Sequence, residues 1–160
     1  MQQQRIYQQH KSSIGNIDAN VMALLAYLAP VILGFIPGIS YVAWAAPLVL
    51  YFVEKNSLLV KFHAMQALAI QIVSTILSII YTIIASSAAV GVGFAGGFIG
   101  VTAAVGVLGV FTLIYGVLAI ILLVFDIIAM VKAYRYIEYR IPVAGRLAVW
   151  LMSKTGINLM

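Results

Sequence analysis

Residues 59–68 read LVKFHAMQAL and set a lysine, a histidine and a glutamine at the mouth of a long apolar run. Wound as a helix at about 100° per residue, 62–85 places His63, Gln66, Gln71, Ser74, Thr75, Ser78, Tyr81 and Thr82 on one half of its circumference. The other half collects Met65, Leu68, Ile72, Val73, Ile76, Ile79, Ile80 and Ile83. Hydrocarbon tolerates the second face; the first must meet protein or water, because unsatisfied polar groups in lipid are costly. Such a stripe has two chemical readings. It is interhelical glue, with hydroxyls bonded back to their own helix and glutamines reaching across, or it lines a hydrophilic path or partner groove. Asp126 is the only acid inside an apolar segment and is expected at the depth of Lys61 and His63. It is therefore predicted to contact Lys61, His63 or Gln66 across a bundle.

Other chemistry has little to build on. Two histidines and no cysteine do not make a metal site, and His10 stands in a Gln-rich tail where it is expected to be solvated. There is no HExxH, no Gly-x-Ser-x-Gly elbow and no phosphate-binding glycine fingerprint. Asp18, Glu54, Asp126 and Glu138 show no paired spacing. No catalytic residue, metal ligand or cofactor is expected, and the chain reads as a non-enzyme.

The elements that must position the stripe follow from composition. Of 160 residues, 64% are hydrophobic and only 8% charged, with mean hydropathy +1.12. Soluble domains carry roughly 25% charged residues, so the class is integral membrane. Residues 19–53 and 62–125 lack Asp, Glu, Lys and Arg, and each stretch has room for two spans of about 20 residues. The expected fold is an all-α four-helix membrane bundle with spans at 19–36, 41–53, 62–85 and 102–130. The second is short, either crossing a thinned bilayer or forming a re-entrant arm. Ser86–Gly100 is glycine-rich and is expected as a flexible loop. Ala19, Ala23, Ala26, Pro30 and Gly34 in the first helix, and Gly109, Thr112, Gly116 and Ala119 in the last, are expected to receive the stripe.

Residues 1–16 form a polar tail with no signal-peptide core, and 17–160 a single membrane domain ending in a basic segment, 131–160. Four spans put all nine basic residues on one face. By the positive-inside rule that face is cytoplasmic, with both termini on it. The net charge of +5 thus reports topology rather than a nucleic-acid partner. Lys132, Arg135, Arg140 and Arg146 are expected at anionic headgroups, and 143–152 as an interfacial helix.

LLVKFHAMQALAIQ at 58–71 resembles the V-[KR]-F-H-A-x-Q-A signature of a family of small bacterial and archaeal membrane proteins of unknown function. The matching residues are Val60, Lys61, Phe62, His63, Ala64, Gln66 and Ala67. The tail DIIAMVKAYRYIEYRIPVAGRLA is similar to the same family's C-terminal pattern at Lys132, Ala133, Pro142, Gly145 and Arg146. The resemblance covers about 17–150. The family is more remotely similar to the twenty-kilodalton Tic subunit of the chloroplast inner envelope, which implies four transmembrane helices and a role in protein translocation. The expected function is a subunit of a membrane assembly in the prokaryotic cytoplasmic membrane. It would hold a protein partner or a second copy through the Lys61–Gln66 corner. The alternative is an oligomeric channel or transporter with the stripe as its path.

Overall fold

The structure is a computed structural model that describes residues 5–95 and 97–157, and these are mostly helical. In chain order they form β1 (Arg5–Ile6), α1 (Ala19–Gly34), a 3-10 helix (Ser40–Ala45), α2 (Ala46–Val53), α3 (Leu58–Ala95), α4 (Gly97–Tyr134), β2 (Ile137–Glu138) and α5 (Ala144–Lys154). Two compact units result. One holds the chain up to Gln71 and again from Val124, and the other holds Ile72–Leu123.

The first unit is built around the start of α3. That helix begins at Leu58, four residues before the expected Phe62, because Ser57 caps it: the Val60 N–H donates to Ser57 Oγ at 3.2 Å. From Leu59 to Ile70 every residue except the half-buried Lys61 is buried. Its neighbours meet it with small side chains, Ala19, Ala23 and Ala26 of α1, Ala129 and Ala133 of α4, and Ala144 and Ala148 of α5. Alanine at these contacts lets helix backbones come close. The predicted face of α1 is thus buried at Ala19, Ala23, Ala26 and Pro30, while Gly34 is exposed.

α1 has 16 residues and packs on both the 3-10 helix and α2. At roughly 24 Å it is shorter than the ~30 Å hydrocarbon core, and the eight residues of α2 are shorter still. α3 and α4 have 38 residues each and are the two helices long and apolar enough to cross a membrane.

The polar tail is folded onto this unit. β1 pairs antiparallel with β2, Arg5 opposite Glu138 and Ile6 opposite Ile137, and the Tyr7 N–H donates to the Tyr136 carbonyl. Lys11 pairs with Asp18 at 2.7 Å, and the Ala19 N–H donates to the His10 carbonyl. The segment after β2 turns sharply. Val143 has φ 68° and ψ −64°, and the Ala144 N–H donates to the Pro142 carbonyl at 2.9 Å. This is a γ-turn with positive φ, a strained conformation for a β-branched residue. It starts α5, which buries Ala144, Gly145, Ala148 and Met152.

The second unit is an antiparallel hairpin of 72–95 and 97–123. The glycine-rich stretch expected as a loop is helical up to Ala95 and again from Gly97, where φ is +60°. Glycine's poor propensity is a preference measured in water; where the backbone must satisfy itself, the helix persists. Ser86 and Ser87 lean back onto the Ile83 carbonyl. The expected close approach at Gly109 and Gly116 is absent: a Cβ at either would meet nothing within 4 Å.

Val143→Gly should relieve the turn and raise stability by about 1 kcal/mol, read as a higher thermal midpoint of the detergent-solubilised protein. An unchanged or lower midpoint would count against strain at this residue.

Candidate functional site

The polar residues at the head of α3 converge on one buried cluster. His63 and Gln66 lie one turn apart and are both 0% exposed, facing Tyr27 of α1. His63 Nε2 lies 3.1 Å from the Ile137 carbonyl, which can only accept, so Nε2 carries the hydrogen. Nδ1 is then the acceptor for the Tyr27 hydroxyl at 2.9 Å. Gln66 Nε2 donates to the same hydroxyl at 3.0 Å, and Gln66 Oε1 accepts the Ile141 N–H at 3.1 Å. Every member is satisfied by protein, and the tautomer follows from the neighbours. The cluster ties α1, α3 and the chain after α4 to one another. Gly145 belongs to it by shape, since a Cβ there would stand 2.9 Å from Arg140 Cα and 3.0 Å from Gln66 Oε1.

A second cluster closes the base of the first unit, where α2 meets α3. Glu54, 1% exposed, ends α2 and points its carboxylate at the start of α3. Oε1 accepts the N–H groups of Ser13, Asn56 and Ser57 at 2.9–3.1 Å and Ser13 Oγ at 2.8 Å, and Oε2 accepts Ser12 Oγ. Burial pushes this carboxyl up, but the donors from Ser12, Ser57 and Ser13 outweigh it and hold it at about 2. His10 is half-buried rather than solvated: Nε2 lies 2.7 Å from Ser57 Oγ and Nδ1 2.7 Å from the Gln8 carbonyl. Glu138 accepts from Tyr7 OH at 2.9 Å and from Arg140 Nη2 at 2.9 Å. Burial and the Glu138 charge push the Tyr7 hydroxyl up to about 12, which keeps it a donor.

Several expectations change on this geometry. Among the described residues Asp126 makes no hydrogen bond or ion pair with Lys61, His63 or Gln66; His63 and Gln66 are instead engaged by Tyr27 and by backbone groups. Asp126 is half-buried. The corner at Lys61–Gln66 packs the interior, and only Lys61 reaches the surface. Arg140 is drawn into the Glu138 pair, whereas Arg135 and Arg146 are exposed and Lys132 half-buried.

Farther along, the stripe divides. Ser78 Oγ meets Tyr115 OH at 3.1 Å and Tyr81 OH meets Thr112 Oγ1 at 3.0 Å, while Tyr81 and Tyr115 stack at 4.9 Å. Thr82 bonds back to the Ser78 carbonyl. Ser74 is half-buried, and Gln71 and Thr75 are each engaged as well. Sequence reasoning missed Tyr27, a polar-tipped side chain beside Ala23 and Ala26 on α1. It also missed Ser57, a capping residue directly before an apolar run.

Residues 18–148 match the profile of the magnetosome magnetite crystal formation protein family. No curated protein and no solved structure matches the chain. The match agrees with the resemblance to a family of small bacterial membrane proteins and carries no likeness to an import subunit.

Two outcomes follow. The folded value of Glu54 lies below its ordinary 4.5, so its contribution is complete above about pH 4.5 and lost as pH falls toward 2. Thermal midpoints should drop across that window, and Glu54→Gln should flatten the drop. Gln66→Leu strands the buried Ile141 N–H and should destabilise by about 1–3 kcal/mol, with Gly145→Ala comparable. Because both act on one contact, a double-mutant cycle should depart from additivity by more than about 0.5 kcal/mol; strict additivity would mean the two positions are independent.

Proposed function

The chain belongs to the magnetosome magnetite crystal formation protein family, and from that membership we propose that it is a small non-enzymatic subunit of a bacterial membrane assembly. The observation that carries this reading is the hairpin of the second unit. Its hydroxyls are turned toward each other, and its outer face is apolar, with Ile76, Ile79, Ile83, Leu113, Val117 and Ile120 all exposed. Such a surface suits lipid and neighbouring helices. The polar groups at the head of α3, which would otherwise be candidates for catalysis, are spent in holding helices together.

The topology we infer has α3 and α4 as full spans. α1 with the 3-10 helix and α2 forms a short hairpin that either crosses a thinned bilayer or re-enters. Two spans or four, the count is even, so both termini and the 54–61 loop share the basic, cytoplasmic face. The membrane is a prokaryotic one, and the family's description points to that of the magnetosome. Exposed cations at Arg135 and Arg146, with Lys132, suit its headgroups. Glu54, Glu138 and Asp18 are committed to partners within the chain, so a part in magnetite formation is proposed to run through organising the membrane. Protein translocation is the narrower role implied by the resemblance to the import subunit.

The test is to tag the protein, crosslink it in native membranes and identify what accompanies it, beside a Phe94→Ala/Phe98→Ala form altered only at the exposed hairpin tip. A stoichiometric membrane partner, or a defined oligomer, is expected. Recovery as a lone protein from both forms would sink the subunit reading. A Lys61/His63/Gln66 triple-alanine form would report on folding instead, since two of its positions are interior.

A further inference from the structure

Charge is segregated by depth in this protein. Glu54 and Glu138 are withdrawn into the first unit, and Asp18 is paired with Lys11. Lys55, Arg135, Arg146 and Lys154 are exposed, and among the described residues none of these four has an acidic partner within ion-pair distance.

α5 gathers this excess into one stripe. It buries Ala144, Gly145, Ala148 and Met152, and its opposite side carries Arg146, Trp150 and Lys154, each four residues from the next. That spacing stacks them along one face. Lys154 Nζ lies 5.7 Å from the centre of the Trp150 ring, and Trp150 is 55% exposed. Lys154 sits in the last turn, where a cation complements the helix dipole. Arg146 is the third residue of α5, at the positive end, where a cation is disfavoured. Helix stability therefore does not account for Arg146, and no side chain among the described residues pairs with it. An anion from outside the chain would.

We propose that the Arg146–Trp150–Lys154 stripe binds the headgroup of an anionic phospholipid in the bilayer that holds the protein. Arg146 offers a planar fork to the phosphate, Lys154 adds a second cation, and the indole lies at the glycerol level with its N–H toward the polar side. An acidic protein segment is the competing occupant. Lipid is favoured because only nine residues separate α5 from the end of the apolar α4, so the chain itself tethers the stripe within reach of the bilayer surface at an effective concentration that a soluble partner does not match. The proposal rests on the membrane reading above and is independent of whether the protein is an assembly subunit.

The experiment uses the full chain with Trp44→Phe, leaving Trp150 as the single indole. It is reconstituted into phosphatidylcholine vesicles containing a minor fraction of phosphatidylglycerol, with one lipid or the other brominated in its acyl chains. Brominated phosphatidylglycerol should quench Trp150 more strongly per mole than brominated phosphatidylcholine, with a preference of about fivefold for each cation engaged. Arg146→Gln/Lys154→Gln should bring the ratio close to one, and Arg146→Lys should keep most of it. Both positions are exposed, so folding is not at stake. Equal quenching by the two lipids, or a preference that survives the double glutamine form, would overturn the proposal while leaving the membrane reading intact. Quenching by neither lipid, with a shift of Trp150 emission on adding a poly-glutamate peptide, would reassign the stripe to a protein partner. Failure of the chain to enter vesicles at all would instead remove the membrane reading on which the proposal stands.

Discussion

A carboxamide inside an apolar helix has to be answered at both its oxygen and its nitrogen, and the first unit is assembled around the answer to Gln66. Its oxygen takes the Ile141 N–H, which is within reach only because the chain turns at Val143 and because Gly145 has no side chain. Its nitrogen needs the Tyr27 hydroxyl, and that hydroxyl is oriented by His63. His63 in turn needs the Ile137 carbonyl, which lies in β2, and β2 is paired with β1. In a low-dielectric interior each of these bonds is strong when made and costly when missing. The cluster is therefore less a site that binds something than a condition that α1, α3 and the C-terminal segment satisfy together.

The same economy governs charge. The single carboxylate at the start of the 38-residue α3 collects donors from three serines and an asparagine, so it can be buried without a cation beside it. Its negative charge also sits at the positive end of that helix. With Glu54 and Glu138 buried and Asp18 paired with Lys11, the cations Lys55, Arg135, Arg146 and Lys154 remain exposed. One sign of charge facing the headgroups and apolar side chains facing the acyl chains are the two halves of a membrane protein's solvation.

The sequence made the main outlines readable. Charge-free stretches located the apolar helices, but the period of 62–85 did not separate a packed face from an outer one: Met65 and Leu68 of the apolar half are buried in the first unit, and Thr75 and Thr82 of the polar half are exposed. The alanines of α1 marked its contact surface. Three features stayed hidden for physical reasons. The glycine-rich 86–100 segment reads as a loop on propensities measured in water, but backbone hydrogen bonding without water decides otherwise. Asp126 was paired by depth alone, and depth does not say that Tyr27 and two backbone groups have already filled His63 and Gln66. His10 reads as solvated because its tail is polar, yet Ser12, Ser13 and Tyr7 are polar in order to serve Glu54 and Glu138. Contacts across a sequence distance of 131, as between Tyr7 and Glu138, leave no periodic trace.

That last distance sets an order of events during synthesis. The strap that closes the base is made before α3 and α4, and the strand that receives it after them, since Arg5 pairs with Glu138. Until the ribosome has passed β2, the Ile137 carbonyl is not there for His63, and the Ile141 N–H is not there for Gln66. Both long apolar helices, α3 and α4, are therefore made while the head of α3 still has open hydrogen-bonding groups. Synthesis of the segment from β2 to α5 is the step that closes the cluster, and a nascent chain stalled before residue 137 would present an unfinished polar core.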